Sequence, residues 1–412
     1  MNSREKFLEV IVNFKNNVPP PKWEFGYWGS LVDKWYDEGL PKKEYPHVPK
    51  KISTPSASIA NVAWHSIKGK KLPKGIAVDG GGLYFPGNNF ALDKDVMHTL
   101  DMDLGQILVN VNLLFCPMFD IEIFEENDKK LIYSDIDGVK KIFSKNSENY
   151  PSPITYPISD RESWENLKRD RLNLDNIKER FPDHWDKLLK RYKERNYPLV
   201  LGGFPHGYFG TLAHLMGYEN LFLNYYDNPS LIHDIQKTFT ELWIAIYTEI
   251  LSQTDVDLYV FWEDISAGKG SMVSIPLIKE FMLPYYKKLT DFLKSKGIKS
   301  IFVDTDGDCF DLIPTFIEGG ITGLYPIEAS CGMDIIKIRK AFPKLQIMGG
   351  IPKFEIVHGK NRIDEILRPV TEVLKYGGYI PFGDHLISPG VSWENFKYYR
   401  KSLNNILDNI PK

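Results

Sequence analysis

Three alternate aspartates follow an apolar run late in the chain. Residues 301–303 are Ile, Phe and Val, and they lead directly into Asp304, Asp306 and Asp308. Such a run predicts a buried strand, and carboxylates at the carboxyl end of a parallel strand are typical of a catalytic site. Strand alternation places Asp304 and Asp306 on one face, with Asp308 in the loop or at the next helix start. Two acids on one face favour a metal site or a raised pKa.

The aspartates also allow other interpretations. A calcium-binding EF-hand loop needs Gly at its sixth position and Glu at its twelfth, and here Cys309 and Thr315 occupy those positions. This disfavours the calcium loop. A solvated turn that caps the following helix stays open as an alternative.

Further titratable side chains stand at other predicted strand ends. Glu263 and Glu328 each follow an apolar segment, and His385 closes the last one, where Asp384 could fix its tautomer. His206 lies on a glycine-rich turn without phosphate-loop spacing. Each residue alone is also explained as an ion-pair partner or a surface cap. Their occurrence at several strand ends together favours a site.

The spacing of apolar runs predicts an α/β fold, a single-domain TIM (βα)8 barrel over residues 1–412. Six strands are predicted from the alternation of short apolar runs with helical segments, and two more come from the first half of the chain. Helices are predicted over 276–296 and 393–407. The predicted strands are 21–25, 107–111, 198–202, 258–262, 300–303, 323–327, 345–348 and 378–382.

Two segments interrupt this pattern. Residues 41–90 are rich in Lys, Pro and Gly. They predict an irregular excursion, for which we expect a position over the barrel mouth. Residues 119–144 alternate apolar and polar side chains around a turn at 126–128, which predicts an inserted β-hairpin.

Composition excludes several function classes. The formal net charge is −3, with 51 basic and 54 acidic residues, and no basic run forms a phosphate-binding stripe, so no nucleic-acid partner is expected. The sequence shows neither a signal segment nor a membrane-length apolar run, and its three cysteines lie outside any C-x-x-C motif. We therefore expect a cytoplasmic protein without a membrane partner.

Aromatic residues are frequent near the first predicted strand. Most of them are expected in the core, and Tyr27 and Trp28 are candidates for the wall of a substrate pocket.

The order of the motifs resembles the uroporphyrinogen decarboxylase superfamily, and within it the cobalamin-dependent methyltransferases. The likeness covers nearly the whole chain. It rests on residues 23–28, 35–41, 215–220, 226–229, 262–264, 349–351, 384–385 and 388–395.

Departures from two branches narrow this resemblance. The decarboxylases carry an arginine-containing segment after the first strand that holds the porphyrin carboxylates, whereas this chain has Phe, Gly, Tyr and Trp at 25–28. The thiol-methylating branch binds zinc with a His-x-Cys pair and a later Cys. Asp304 and Asp306 stand at the matching positions, so a soft thiolate site has become a hard carboxylate site.

The resemblance then implies the branch that passes a methyl group from a methyl ether, such as a methoxylated aromatic, to the Co(I) of a separate corrinoid protein. The chain has no cobalamin-binding Asp-x-His-x-x-Gly segment, so the corrinoid is expected on a partner. A homodimer and a bound zinc ion both stay open. The implied catalytic residues are Asp304, Asp306, Glu263 and His385, the substrate-binding residues are Trp28, Tyr27, His206 and Glu328, and the candidate metal ligands are Asp304, Asp306 and Glu328.

Two alternatives to the methyltransferase hypothesis stay open. One is a decarboxylase or lyase that acts on a smaller acid than a porphyrin. The other is a non-catalytic corrinoid-binding protein that kept the fold.

Overall fold

A computed structural model describes residues 1–43, 94–144 and 151–410. The predicted excursion at 41–90 therefore lies almost entirely outside the described residues. The strands are β1 (Ile107–Leu108), β2 (Glu122–Glu126), β3 (Lys130–Ser134), β4 (Lys140–Ser144), β5 (Ser152–Thr155), β6 (Leu199–Gly202), β7 (Leu258–Trp262), β8 (Ser266–Ala267), β9 (Gly270–Ser271), β10 (Ile301–Asp304), β11 (Gly323–Ile327), β12 (Gln346–Gly349) and β13 (Tyr379–Ile380).

The helices surround the strands. They are α1 (Ser3–Phe7), which continues as a π-helix (Leu8–Val12), α2 (Gly29–Asp37), α3 (Lys94–Thr99), α4 (Arg161–Arg171), α5 (Trp185–Lys193), α6 (Gly210–Met216), α7 (Tyr218–Asp227), α8 (Pro229–Leu251), α9 (Ile275–Phe281), α10 (Leu283–Ser295), α11 (Ile313–Glu318), α12 (Ile335–Ala341), α13 (Lys360–Leu374) and α14 (Trp393–Asp408). Short 3₁₀ turns cover Leu174–Arg180, Phe310–Leu312, Ala329–Cys331 and Lys353–His358. None of the described helices is both long and apolar enough to cross a membrane.

A curled parallel sheet forms the centre of the fold. Within the described residues it has seven strands in the order β1-β6-β7-β10-β11-β12-β13. Apolar side chains cover both of its faces, as expected for strands buried between a barrel interior and an outer layer of helices. The predicted TIM-barrel fold is confirmed.

The barrel interior is a small separate core. Trp23, Val260, Phe302 and Met348 pack together inside the sheet, and Phe7 of α1 belongs to the same cluster. The N-terminal helical segment is fixed at the amino ends of the strands, because Gly378 donates its N–H to the Val10 carbonyl oxygen at 2.9 Å. The chain's first residues therefore close the lower end of the barrel.

The predicted first strand at 21–25 is wrong as a strand. The residues directly after this segment nevertheless pair with the chain beyond β13: Tyr27 forms an isolated parallel bridge with Ile387, and Ile387 donates its N–H to the Gly26 carbonyl oxygen at 3.0 Å. Pro19 and Pro20 precede the segment and Pro21 begins it, and prolines cannot donate ladder hydrogen bonds.

The insertion is larger than the hairpin predicted for it. β2, β3, β4 and β5 form a four-stranded antiparallel sheet in that order, which extends the insertion to residue 155. The predicted turn is present, since Asn127 Oδ1 accepts hydrogen bonds from the N–H groups of Lys129 and Lys130. We call these four strands the inserted sheet.

One predicted helix is divided in two. The segment 276–296 forms α9 and α10, which meet at Met282. Pro284 has no N–H to continue the hydrogen bonding of α9, but it fits the first turn of α10. The predicted helix over 393–407 is α14, and Ser392 caps it by accepting from the Asn395 N–H at 3.3 Å.

Candidate functional site

Acidic side chains gather at the carboxyl ends of neighbouring strands. Asp304 ends β10, Asp306 lies two residues beyond, Asp264 follows β7 and Glu328 follows β11. With Asp384, which follows β13, we call these residues the acid cluster. Because the strands are parallel and adjacent, their carboxyl ends meet at the open mouth of the barrel.

Asp304 and Asp306 are both held towards their neutral forms. Burial, followed by repulsion from Asp306 and Asp264, raises the pKa of Asp304 well above its ordinary value. Burial, with repulsion from Asp264 and Glu328, raises the pKa of Asp306 to about 7. The Asp306 side chain is still 41% exposed, so it lines the mouth and can reach a bound molecule.

His385 faces Asp306 across the mouth. Its Nε2 lies 3.5 Å from Asp306 Oδ2, and its ring stacks on Phe25 with the centroids 4.5 Å apart. Burial and the nearby Lys353 ammonium lower the pKa of His385 to about 4. At neutral pH the imidazole is therefore uncharged, and a single proton shared by the pair favours the carboxyl group of Asp306.

Glu328 is the ionised member of the acid cluster. Burial opposes its charge, but the Gly307 N–H at 2.7 Å, the Cys331 thiol at 3.2 Å and the Lys353 ammonium at 3.4 Å together lower its pKa. Gly307 adopts φ +77°, and a Cβ there would meet the backbone of Ala267 at 2.4 Å, so this turn needs glycine.

Lys353 is a site residue that sequence reasoning missed. It begins the 3₁₀ turn after β12, its side chain is 9% exposed, and its charge acts on Asp306, Asp384 and His385. The available signal was its position four residues beyond the end of β12. Lys353 supplies a positive charge among the carboxyl groups.

Asp384 holds the backbone at Ser330 and Lys353 in place rather than orienting His385. Its Oδ2 accepts from the Ser330 N–H and hydroxyl at 2.7 and 2.6 Å, and its Oδ1 accepts from the Lys353 N–H at 3.0 Å. Burial raises its pKa. Within the part of the chain that the structure describes, these hydrogen bonds go to Ser330 and Lys353, and none joins Asp384 to the His385 ring to support the expected tautomer role.

Glu263 lies outside the mouth. Its fully buried carboxylate accepts hydrogen bonds from the N–H groups of Tyr208, Phe209 and Gly210 at 2.8, 2.6 and 3.1 Å, and from the Tyr286 hydroxyl. These contacts fix the start of α6 against β7. The next residue, Asp264, adopts φ +46° and turns into the acid cluster instead. Burial and Glu328 raise the pKa of Asp264.

Three predicted substrate-binding residues occupy buried or half-buried positions in the structure. His206 is buried, with its Nδ1 2.8 Å from the Gly203 carbonyl oxygen, and burial lowers its pKa to about 3. Tyr27 is buried, with its ring 5.3 Å from that of Trp35. Trp28 is half-buried at the start of α2. Phe25 stacks on His385, and Tyr325, whose ring lies 5.6 Å from that of Phe25, pairs with Asp304 on the neighbouring strand.

The candidate metal ligands do not form a chelating group. Asp304, Asp306 and Glu328 are neighbours, but within the described residues no three His, Cys, Asp or Glu side chains are arranged to hold a metal ion. Their hydrogen bonding and pKa values fit a cluster of carboxylic acids around one carboxylate.

Comparison with known proteins places this chain in a family. Among solved structures, a methyltransferase from Methanosarcina mazei matches with a TM-score of 0.57 over 99% of this chain and 98% of its own, at 14% sequence identity. At that identity the likeness shows a shared fold. No curated protein matches the chain. The model of the family described as uroporphyrinogen decarboxylase (URO-D) matches residues 138–406, well over half of the chain and most of the barrel. The chain therefore belongs to the uroporphyrinogen decarboxylase family.

Proposed function

We propose that this protein is a methyltransferase that takes a methyl group from a methyl ether, specifically a methoxylated aromatic, and passes it to the Co(I) of a corrinoid protein. The observation that carries the proposal is the carboxyl group of Asp306, which is reachable from the mouth and has its pKa raised to about 7, so that a large fraction of it keeps its proton near neutral pH. The family membership and the fold shared with a methyltransferase from Methanosarcina mazei support the class of reaction.

The chemistry requires an acid of this kind. An aryl ether releases its methyl group slowly because the phenolate is a poor leaving group until its oxygen receives a proton. In the proposed step the Co(I) centre supplies the electron pair for the new bond to the methyl carbon. The carbon–oxygen bond breaks, and the ether oxygen takes the proton of Asp306. The products are a phenol and a methylated corrinoid, and Asp306 regains its proton from solvent.

The residues around Asp306 suit this role. The uncharged His385 does not compete for the proton, and burial together with the acids Asp264 and Glu328 disfavours a charge on Asp306. Phe25, stacked on His385, offers an aromatic face beside the acid for the ring of the donor. The corrinoid is a substrate carried by its own protein, and the open mouth provides its approach to the methyl carbon.

A direct experiment mixes the purified protein with a Co(I) corrinoid protein and a panel of methoxyaromatics. The loss of Co(I) absorbance and the release of phenol should proceed in step. The variant Asp306→Asn should be at least 100-fold slower, since a positioned general acid contributes roughly 10²–10⁴-fold. Glu318→Gln, an exposed acid on α11, is the matched control and should react as the wild type does. Co(I) that persists with every ether would remove the proposal.

Lys353 favours one second candidate, a decarboxylase of a small acid. A single ammonium among several carboxyl groups can hold one carboxylate but does not suit a tetracarboxylate porphyrin. This candidate predicts release of CO₂ without cobalt, and Lys353→Met should abolish it. Absence of CO₂ from a panel of small aromatic acids would dismiss it.

A further inference from the structure

The turn between α6 and α7 brings Tyr218 to the mouth of the barrel. Gly217 links the two helices with φ +76°, a backbone conformation that L side chains rarely adopt. Tyr218 is the first residue of α7, and 42% of it is exposed. Within the described residues its hydroxyl has no hydrogen-bond partner. The proposed reaction leaves this residue without a role.

The inserted sheet fixes this turn from one side. The ring of Tyr156, which follows β5, covers Gly217 so closely that a Cβ there would lie 2.4 Å from it. Ile158 donates its N–H to the Leu215 carbonyl oxygen at 3.1 Å, and Asp137 lies 2.7 Å from His214 Nε2. Three contacts therefore tie the inserted sheet and its exit to the end of α6.

The acid cluster lies on the other side of Tyr218. The Tyr218 ring packs on Phe209 with the centroids 6.0 Å apart, and the Phe209 N–H is bound by Glu263, the residue before Asp264. Burial, then the negative charge of Asp264, raises the pKa of Tyr218 to about 12. The hydroxyl stays protonated at neutral pH and is available as a donor.

We propose that Tyr218 is a substrate-binding residue whose hydroxyl bonds a second oxygen substituent on the ring of the donor. This inference rests on the proposed function and narrows its substrate class to methoxyaromatics that carry a further hydroxyl group. In this arrangement Asp306 protonates the ether oxygen, while the Tyr218 hydroxyl donates a hydrogen bond to the second oxygen substituent of the same ring. The inserted sheet acts as a positioning element for Tyr218.

The experiment measures binding of the demethylated products by calorimetry. A dihydroxybenzene, the product of a methoxyphenol, should bind the wild type five- to tenfold more tightly than phenol, the product of anisole. Tyr218→Phe keeps the ring and removes only the hydroxyl, and it should lose most of that preference. Tyr226→Phe is the matched control, because Tyr226 lies on the same helix and is 74% exposed. It should keep the wild-type preference.

The ratio between the two ligands separates recognition from structural damage, which would weaken both alike. A wild type without the preference, or a Tyr218→Phe variant that retains it, would overturn the inference. Methyl transfer is measured separately on methoxyphenol and anisole. If the wild type transfers methyl groups and the Tyr218→Phe variant keeps the binding preference, the proposed function holds but Tyr218 has no part in it. If the Tyr218→Phe variant loses the binding preference but the wild type transfers no methyl group, Tyr218 is a binding residue and the proposed reaction is wrong.

Discussion

Nε2 of His385 lies 3.5 Å from Oδ2 of Asp306, and the pKa values of these two groups are displaced in opposite directions, to about 4 and about 7. An ordinary carboxyl–imidazole pair at neutral pH is an ion pair. Here burial favours the uncharged form of both groups. The ammonium of Lys353 further disfavours imidazolium, and the neighbouring carboxyl groups further disfavour carboxylate.

The pH dependence of methyl transfer follows from this pair. In the proposed reaction Asp306 is an acid only while it is protonated, so the single-turnover rate should be constant at low pH and fall about tenfold per pH unit above its pKa of about 7. Stopped-flow measurement of Co(I) loss between pH 5.5 and 9 tests this. A rate that rises through pH 7 would assign Asp306 the role of a base.

Asp304 should be important for the reaction, whereas a negative charge at this position should contribute little to the stability of the fold. It ends β10 with a strongly raised pKa, so Asp304→Asn preserves its shape and neutral charge but removes its O–H donor. We expect at least a tenfold loss of methyl transfer with an unchanged unfolding midpoint. Full activity in this variant would remove Asp304 from the mechanism.

Glu263 should behave as a structural residue. Glu263→Gln replaces one of its two acceptor oxygens by an NH₂ group that faces backbone N–H donors, which should lower the free energy of unfolding by about 1–3 kcal/mol. Denaturant titration measures the change, with the exposed Glu241→Gln on α8 as control. Unchanged stability together with lost activity would instead support the catalytic role predicted from the sequence.

The inserted sheet depends on a buried ion cluster. The Lys141 ammonium lies 2.9 Å from both Asp135 and Asp137, whose side chains are fully buried. Lys141→Met leaves two buried carboxylates without their cation and should cost about 3–5 kcal/mol of stability. The adjacent Lys140 lies over Phe124 near the surface, so Lys140→Met should change the thermal midpoint little. Equal thermal midpoints for the Lys141→Met and Lys140→Met variants would show that the inserted sheet does not depend on the buried ion cluster.

Gly217 should tolerate no side chain. Gly217→Ala combines an unfavourable positive φ with a close contact to the Tyr156 ring, and we expect a loss of about 1–3 kcal/mol. Gly268→Ala is the matched control, because a Cβ at Gly268 meets nothing within 4 Å. If the two alanine variants unfold at the same denaturant concentration, the contact between the inserted sheet and α7 is unimportant for stability.

Much of the barrel was predictable because buried parallel strands are short and almost wholly apolar. Apolar residues make up most of β6, β7, β10, β11 and β12. The positions of these strands, and of the polar residues that follow them, were therefore evident from the sequence. The strand predicted at 21–25 failed because its pairing depends on residues near 387, which local sequence does not reveal.

The site was harder to predict because orientation at strand exits is set by single dihedral angles. Glu263 and Asp264 are adjacent acids, and the positive φ of Asp264 decides which of them enters the mouth. Lys353 escaped notice since its importance comes from carboxyl groups on other strands. Asp304, Asp306, Glu328 and His385 were brought together as expected, since each follows a strand of one sheet.

The closure of the lower barrel end by Phe7 and its neighbours has a kinetic consequence for the proposed reaction. A donor seated on Asp306 enters through the mouth, and the corrinoid protein must approach the methyl group through the same mouth. The donor would then bind first, and the phenol would leave only after the corrinoid protein has dissociated. Steady-state kinetics would accordingly show a compulsory order, with the phenol as the last product released and competitive against the ether.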